Sequence, residues 1–199
     1  MNPRFKQLVK LFQKLPGVGP RQGARFVLSL LDRDDSELKE LGTAIVDLKK
    51  SIHFCRECFN VADDHLCTVC SDARRNHATL MVMEKVTDLD SMEKTGLYKG
   101  LYHVLGGTIN PVNGVGPDKL RLKELSSRVA SLQKKNGPLE LVLATNPTTE
   151  GETTALYIRE LFKKSKTVTI TRLARGLSSG SNLEYTDETT LKNALEYRK

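Results

Sequence analysis

Apolar residues near the start of the chain recur at helical spacing. Phe5, Leu8, Val9 and Phe12 share one face. The run Leu15-Pro16-Gly17-Val18-Gly19-Pro20 interrupts this pattern, Ala24, Val27, Leu28 and Leu31 resume it, and Leu38, Leu41, Ile45, Leu48 and Ile52 mark a third helix. Residues 1–52 therefore read as a small helical domain. From His53 to Asn76 neither a helical nor a strand period is legible and large aliphatic residues are scarce, so something other than an apolar core must hold residues 53–77 together. Beyond Ala78 short apolar runs alternate with helical ones. Strands are predicted at Leu80–Glu84, Leu101–Leu105, Leu139–Thr145 and Thr167–Thr171. Helices are predicted around Ser91–Thr95 and at Pro117–Lys135, Glu150–Lys164 and Leu191–Tyr197. Strands separated by helices of this length imply βαβ units and a mainly parallel sheet, so the body, 78–172, is α/β, followed by a C-terminal segment, 173–199.

Charge adds to this picture through its placement. The chain holds 31 Lys and Arg against 24 Asp and Glu, for a net charge of +7. Arg4, Lys6, Lys10, Lys14, Arg21 and Arg25 all precede the first acid, Asp32, and Lys163, Lys164, Lys166, Arg172 and Arg175 fall in a second acid-free run. Such segregation favours a polyanionic partner, nucleic acid before an anionic membrane, with a solvated basic face as the plainer alternative. No run approaches the ~20 apolar residues that a bilayer span needs, and Met1 to Lys14 lacks the apolar centre of a secretory signal. A cytoplasmic protein without a membrane partner is expected.

All four cysteines lie in one array, Cys55-x2-Cys58 and Cys67-x2-Cys70, separated by eight residues. Two thiolate pairs, each on a tight knuckle, supply the four soft ligands of tetrahedral zinc. Disulfides are disfavoured by the expected reducing compartment. A catalytic zinc using His53, His65 or His77 is the other rival, but four cysteines leave no open position for a substrate. One structural zinc per chain is expected, folding a segment too poor in apolar residues to fold alone.

Between the first two helices, Gly17 and Gly19 permit a tight hairpin, and Arg21 and Arg25 follow it on consecutive turns. Bare backbone N–H groups at the next helix's N-terminus form a seat for a phosphate, and the arginines supply counter-charge. This is the pattern of a helix-hairpin-helix motif, which grips the DNA backbone without reading sequence; an ordinary αα turn punctuated by glycine is the alternative. No G-x-x-x-x-G-K-[ST] loop occurs, because Gly114-Val115-Gly116-Pro117-Asp118-Lys119 lacks that spacing, so a nucleotide hydrolase is disfavoured.

In the α/β body, Glu84 closes the first predicted strand, and Ala144-Thr145-Asn146-Pro147-Thr148-Thr149-Glu150-Gly151-Glu152 joins a later strand to its helix. Functional residues of parallel sheets collect at strand C-terminal ends, so the two could face one another. This arrangement resembles the Toprim domain of topoisomerases and primases, in which a strand-end glutamate and a D-x-D hold Mg²⁺ for phosphoryl transfer within A-T-D-x-D-R-E-G-E. Here Asn146 and Thr148 replace both aspartates. Glu84 with Glu150 or Glu152 leaves room for weak Mg²⁺ binding, while two-metal catalysis is disfavoured. Glu150 and Glu152 are equally readable as acids favoured in a helix's first turn.

A helix-hairpin-helix, a four-cysteine site and a Toprim region in this order, together with Thr95-Gly96-Leu97-Tyr98-Lys99-Gly100-Leu101-Tyr102-His103-Val104-Leu105, Gly114-Val115-Gly116-Pro117 and Thr171-Arg172-Leu173-Ala174-Arg175-Gly176, resemble the RecR family of bacterial recombination mediators over essentially the whole chain. The resemblance implies a non-enzymatic DNA clamp that assembles as a tetrameric ring. It also implies work with RecO and RecF to load the RecA recombinase on gapped or single-stranded DNA, at the bacterial nucleoid. It places DNA contact on Arg21 and Arg25 of the hairpin, zinc on the four cysteines, and partner docking on Glu84, Asn146, Glu150 and Glu152. Arg172 and Arg175 fall in a Walker-B-like C-terminal stretch, where an interface role and a solvated-cation role are both open. A weakly active, Mg²⁺-dependent Toprim nuclease or strand-passage enzyme is the alternative reading, and a zinc-ribbon adaptor that binds only proteins is a third.

Overall fold

Asn2 caps the first helix by accepting the Arg4 N–H, and Pro3 takes a position where no amide partner is needed. This helix, α1 (Pro3–Phe12), is followed by α2 (Pro20–Leu31) and α3 (Asp35–Ser51), the last capped by Asp34, which accepts from the Glu37 N–H. The computed structural model describes residues 2–174, 176, 177, 180, 182–196 and 198. The chain divides into two compact units, Met1–Ile52 and His53–Lys199. Within the first, α1 and α2 meet through the rings of Phe12 and Phe26, whose centroids are 5.5 Å apart, and through the buried Val27. Gly23 makes their close approach feasible, since a Cβ there would stand 3.2 Å from the Val9 carbonyl oxygen.

In the second unit, β1 (His53–Phe54) pairs antiparallel with β2 (Val61–Ala62), and α4 (Thr68–Ser71) follows. The body then runs β3 (Asn76–Met83), α5 (Val86–Lys94), β4 (Gly100–Val104), α6 (Leu122–Asn136), β5 (Leu139–Leu143), α7 (Thr149–Phe162), β6 (Val168–Arg172) and α8 (Glu188–Glu196). The four body strands form one parallel sheet in the order β4-β3-β5-β6. Period-2 alternation divides the core. Leu80 and Val82 of β3 pack with Leu125 and Val129 of α6 and Ile158 of α7. Met81 and Met83 turn to the other face, against Leu89 of α5, Val69 and the buried cysteines. The cysteine segment thus shares a core with the sheet. Burying each large aliphatic contributes ~1.5–3 kcal/mol, more than an exposed ion pair, so packing places these elements.

The architecture is the expected mixed α/β fold: a helical hairpin region, a four-cysteine module and a parallel sheet flanked by helices. Several details differ. The helix expected at Pro117–Lys135 breaks into a 3-10 turn, Pro117–Lys119, and α6. Leu120 is extended (φ −106°, ψ 157°), which lets Leu120 and Leu122 both turn inward, whereas an unbroken helix would point residues two apart to opposite sides. The helix expected around Ser91 begins earlier, at Val86, because Asp88 accepts from the Lys85 N–H and secures the first turn. The last helix ends at Glu196, and Tyr197 lies outside the described residues. Among the described residues no helix is long and apolar enough to cross a membrane.

Candidate functional sites

The two cysteine knuckles converge. The four Sγ atoms lie within 4.8 Å of one another, with Cys55, Cys58 and Cys67 buried and Cys70 partly so, and all four are free of disulfides. Local backbone geometry builds the cradle. Phe59 N–H bonds to the Cys55 carbonyl, Cys55 N–H to the Asn60 carbonyl, and Asn60 N–H reaches the Cys58 sulfur at 3.4 Å. Phe59 makes this turn at φ 62°, a left-handed conformation that a bulky residue rarely adopts. Its ring contacts explain its presence: the Arg121 guanidinium lies 4.7 Å from the ring centroid and His103 packs against the ring edge-on. The Cys58 and Cys67 sulfurs stand only 3.4 Å apart, a crowding of donors that suits one shared metal ion. Four soft donors without an open position suit structural zinc. His53 lies in β1, His65 and His77 lie elsewhere, and none joins the cluster.

The hairpin between α1 and α2 turns at Gly17, whose φ of 77° is in the left-handed region. Gly19 is the N-cap of α2 without a side-chain cap, and the helix has no acid in its first turn. Among the described residues, the N–H groups of Gly19, Arg21 and Gln22 have no acceptor. Arg21 and Arg25 are exposed and unpaired among the described residues, as are Arg4, Lys6, Lys10 and Lys14. Free donors, the positive helix end and Arg21 thus fall together at the start of α2, with Arg25 one turn on.

The third site lies at the C-terminal edge of the parallel sheet. Glu84 is buried just after β3, and both its oxygens are taken by one residue: Oε1 accepts from the Asn146 N–H at 2.7 Å and Oε2 from Asn146 Nδ2 at 2.8 Å. Gly151 makes room for this, because a Cβ there would come within 2.9 Å of Glu84 Oε1 and 2.1 Å of the Asn146 carbonyl oxygen. Glu152 receives the Arg172 guanidinium as a fork, with Nη1 at 2.7 Å from Oε2, and Arg172 also approaches Thr145 Oγ1 at 3.4 Å. The structure thus joins Glu84 to Asn146 and Glu152 to Arg172, while Glu150 occupies the first turn of α7 beside them. Arg175 lies outside the described residues. A cleft of about 410 Å³ opens here, lined by Asn146, Pro147, Arg172, Leu173 and Thr190 among others.

Comparison with known proteins follows the same division. Family models for the RecR helix-hairpin-helix, the RecR four-cysteine zinc finger domain, the Toprim domain and the RecR C-terminal region match residues 5–49, 52–72, 78–174 and 176–199 in turn. The chain is 43% identical over 197 residues to the recombination protein RecR of Magnetococcus marinus, covering 99% of this chain and 96% of that protein. The chain belongs to the RecR family. The RecR proteins of Carboxydothermus hydrogenoformans and Mycobacterium leprae are 40% and 39% identical to it, covering 97% and 98% of this chain and 94% and 96% of theirs. The four cysteines accordingly form the structural zinc site of a RecR zinc finger.

Three structural residues of this RecR chain escaped the sequence reading. Gly23 is signalled there only by a glycine inside a helical run, Phe59 by nothing local, and Arg128 reads as one more surface cation of α6 although it is buried.

Proposed function

We propose that this RecR chain is a DNA-binding clamp of recombinational repair that alters no covalent bond in its DNA. The observation that carries this reading is the hairpin: acceptor-free N–H groups at the start of α2 are joined there by the exposed Arg21 and, one turn on, Arg25, in a stretch without acids. Gly17 and Gly19 shape the turn, and the arginines neutralise phosphates. Nothing in α2 resembles a recognition helix aimed at base edges, so binding is weakly specific and steeply salt-dependent. The Toprim face supports the absence of catalysis, since Glu84 is committed to Asn146 and Glu152 to Arg172.

On this reading the Toprim face that carries Glu84, Asn146, Glu150 and Glu152 docks a protein partner, and Arg172 holds its shape through Glu152. RecO and RecF are the partners we assign, and loading of RecA on gapped or single-stranded DNA at the nucleoid is the outcome. Assembly into a tetrameric ring is the arrangement we take from the family resemblance, and the uncovered apolar positions of α3, where Ile45 and Val46 are 65% and 72% exposed, suit self-association. Replacing Arg21 and Arg25 together by Ala is expected to flatten the slope of log K against log salt by about 2 per engaged hairpin, since each phosphate neutralised contributes ~0.9. An unchanged slope in a fluorescence-anisotropy titration would remove the hairpin as the DNA contact.

A further inference from the structure

Among the described residues Arg128 is the only buried Lys or Arg, at 6% exposure. It projects from α6 under the cysteine cluster, where Nη1 donates to the Glu57 carbonyl at 2.7 Å and to the Tyr102 carbonyl at 2.5 Å, and Nη2 lies 3.5 Å from Cys70 Sγ. Backbone carbonyls satisfy donors but do not cancel charge. Among the described residues the one carboxylate within 4 Å of the guanidinium is that of Glu57, which stands 3.6 Å from Nε, is 57% exposed and makes no hydrogen bond to that nitrogen, while Glu124, one turn earlier on α6, forms no ion pair with it. Glu84, the only buried carboxylate among the described residues, is taken by Asn146. A guanidinium removed from water in this way is expensive unless an anion lies beside it. Zinc held by four thiolates is such an anion, because four negative ligands outweigh a divalent ion.

We propose that Arg128 is the counter-ion of the zinc centre, so that metal retention and the seating of the zinc finger on the sheet are coupled through this one side chain. The inference rests on the zinc reading of the four cysteines. Each side of the pair compensates the other: the guanidinium stabilises the Cys70 thiolate, and the anionic centre stabilises the buried cation. The same Nη1 ties the Glu57 carbonyl of the first knuckle to the Tyr102 carbonyl of β4, so its loss would loosen that knuckle from the sheet.

The test compares Arg128→Gln, which keeps a donor without charge, and Arg128→Lys, which keeps the charge, with the parent and with Leu132→Ala, a core truncation on the same helix. Zinc affinity is measured by competition with a chromogenic chelator, and each protein is also loaded with Co²⁺. Removal of a group supporting a metal ligand weakens binding by about 10–100-fold, and that loss is expected for Arg128→Gln. Arg128→Lys should recover most of the affinity, and Leu132→Ala should keep it. The thiolate-to-cobalt charge-transfer band should move to lower energy in Arg128→Gln alone, because the sulfur loses its stabilising cation. Parental affinity and an unmoved band in Arg128→Gln, equal loss in the Gln and Lys variants, or equal loss in Leu132→Ala would each overturn the proposal. A parent that binds no zinc would instead overturn the zinc reading beneath it.

Discussion

Phe59 shows how much of this molecule is decided one residue at a time. Its left-handed backbone would suit glycine, yet its ring holds Arg121 and the edge of His103, so side-chain contacts outweigh the local preference. His103 itself is fully buried, with Nε2 at 2.9 Å from the Arg121 carbonyl oxygen. Burial pushes its pKa down to about 4, against an ordinary 6.5, with the Arg121 carbonyl opposing the shift. Between those two values the unfolded chain takes up a proton that the folded chain refuses, so stability is lost as pH falls, by ~1.4 kcal/mol per pH unit at most. Urea denaturation of the parent and of His103→Gln should show the steeper decline in the parent between pH 6.5 and 4, and equal slopes would contradict it. None of this is legible in the sequence, because burial of one histidine depends on which strand and knuckle close over it. The cysteines are legible, because their spacing and exclusivity are themselves the signal.

Elements follow the periodicity where a single face is buried and depart from it where the chain must turn. The strands of the sheet fall within a few residues of their apolar runs, since parallel strands covered on both faces need continuous apolar sequence. The cysteine segment has no period because β1, β2 and α4 are each too short to carry one. Its order therefore depends on metal and on the core it shares with the sheet. Removing zinc by chelation, or replacing Cys67 by Ser, is expected to abolish hydrogen-exchange protection at Cys55, Arg56 and Phe59, whose N–H groups close the knuckle, while α1 and α2 keep theirs. Knuckle amides that stay protected without metal would show that packing alone holds the segment. α3 is the contrary case: its apolar stripe is plain in the sequence, yet none of its residues is buried in the structure, so periodicity marks the helix without telling what covers it.

At the scale of the whole molecule, charge and chemistry are divided between two units. The helical unit opens with an acid-free basic stretch around the hairpin, and the α/β unit carries the zinc finger and the Toprim face. The sequence shows which carboxylates that face has lost, but not how the rest are occupied. Only the fold brings Asn146 onto both oxygens of Glu84, and Arg172, 20 residues beyond its partner, onto Glu152. On the proposed function, a face whose Glu84 and Glu152 are already engaged serves protein docking in place of metal binding. The chain, on that same proposal, binds DNA and leaves it intact. One reaction of the protein with gapped circular DNA and Mg²⁺, divided between a native gel and a gel run after detergent and protease, tests it most directly. A shifted native band with unchanged stripped DNA is predicted; nicked, linear or relaxed product in the stripped lane, absent with Glu84→Gln, would contradict it and establish an active Toprim enzyme.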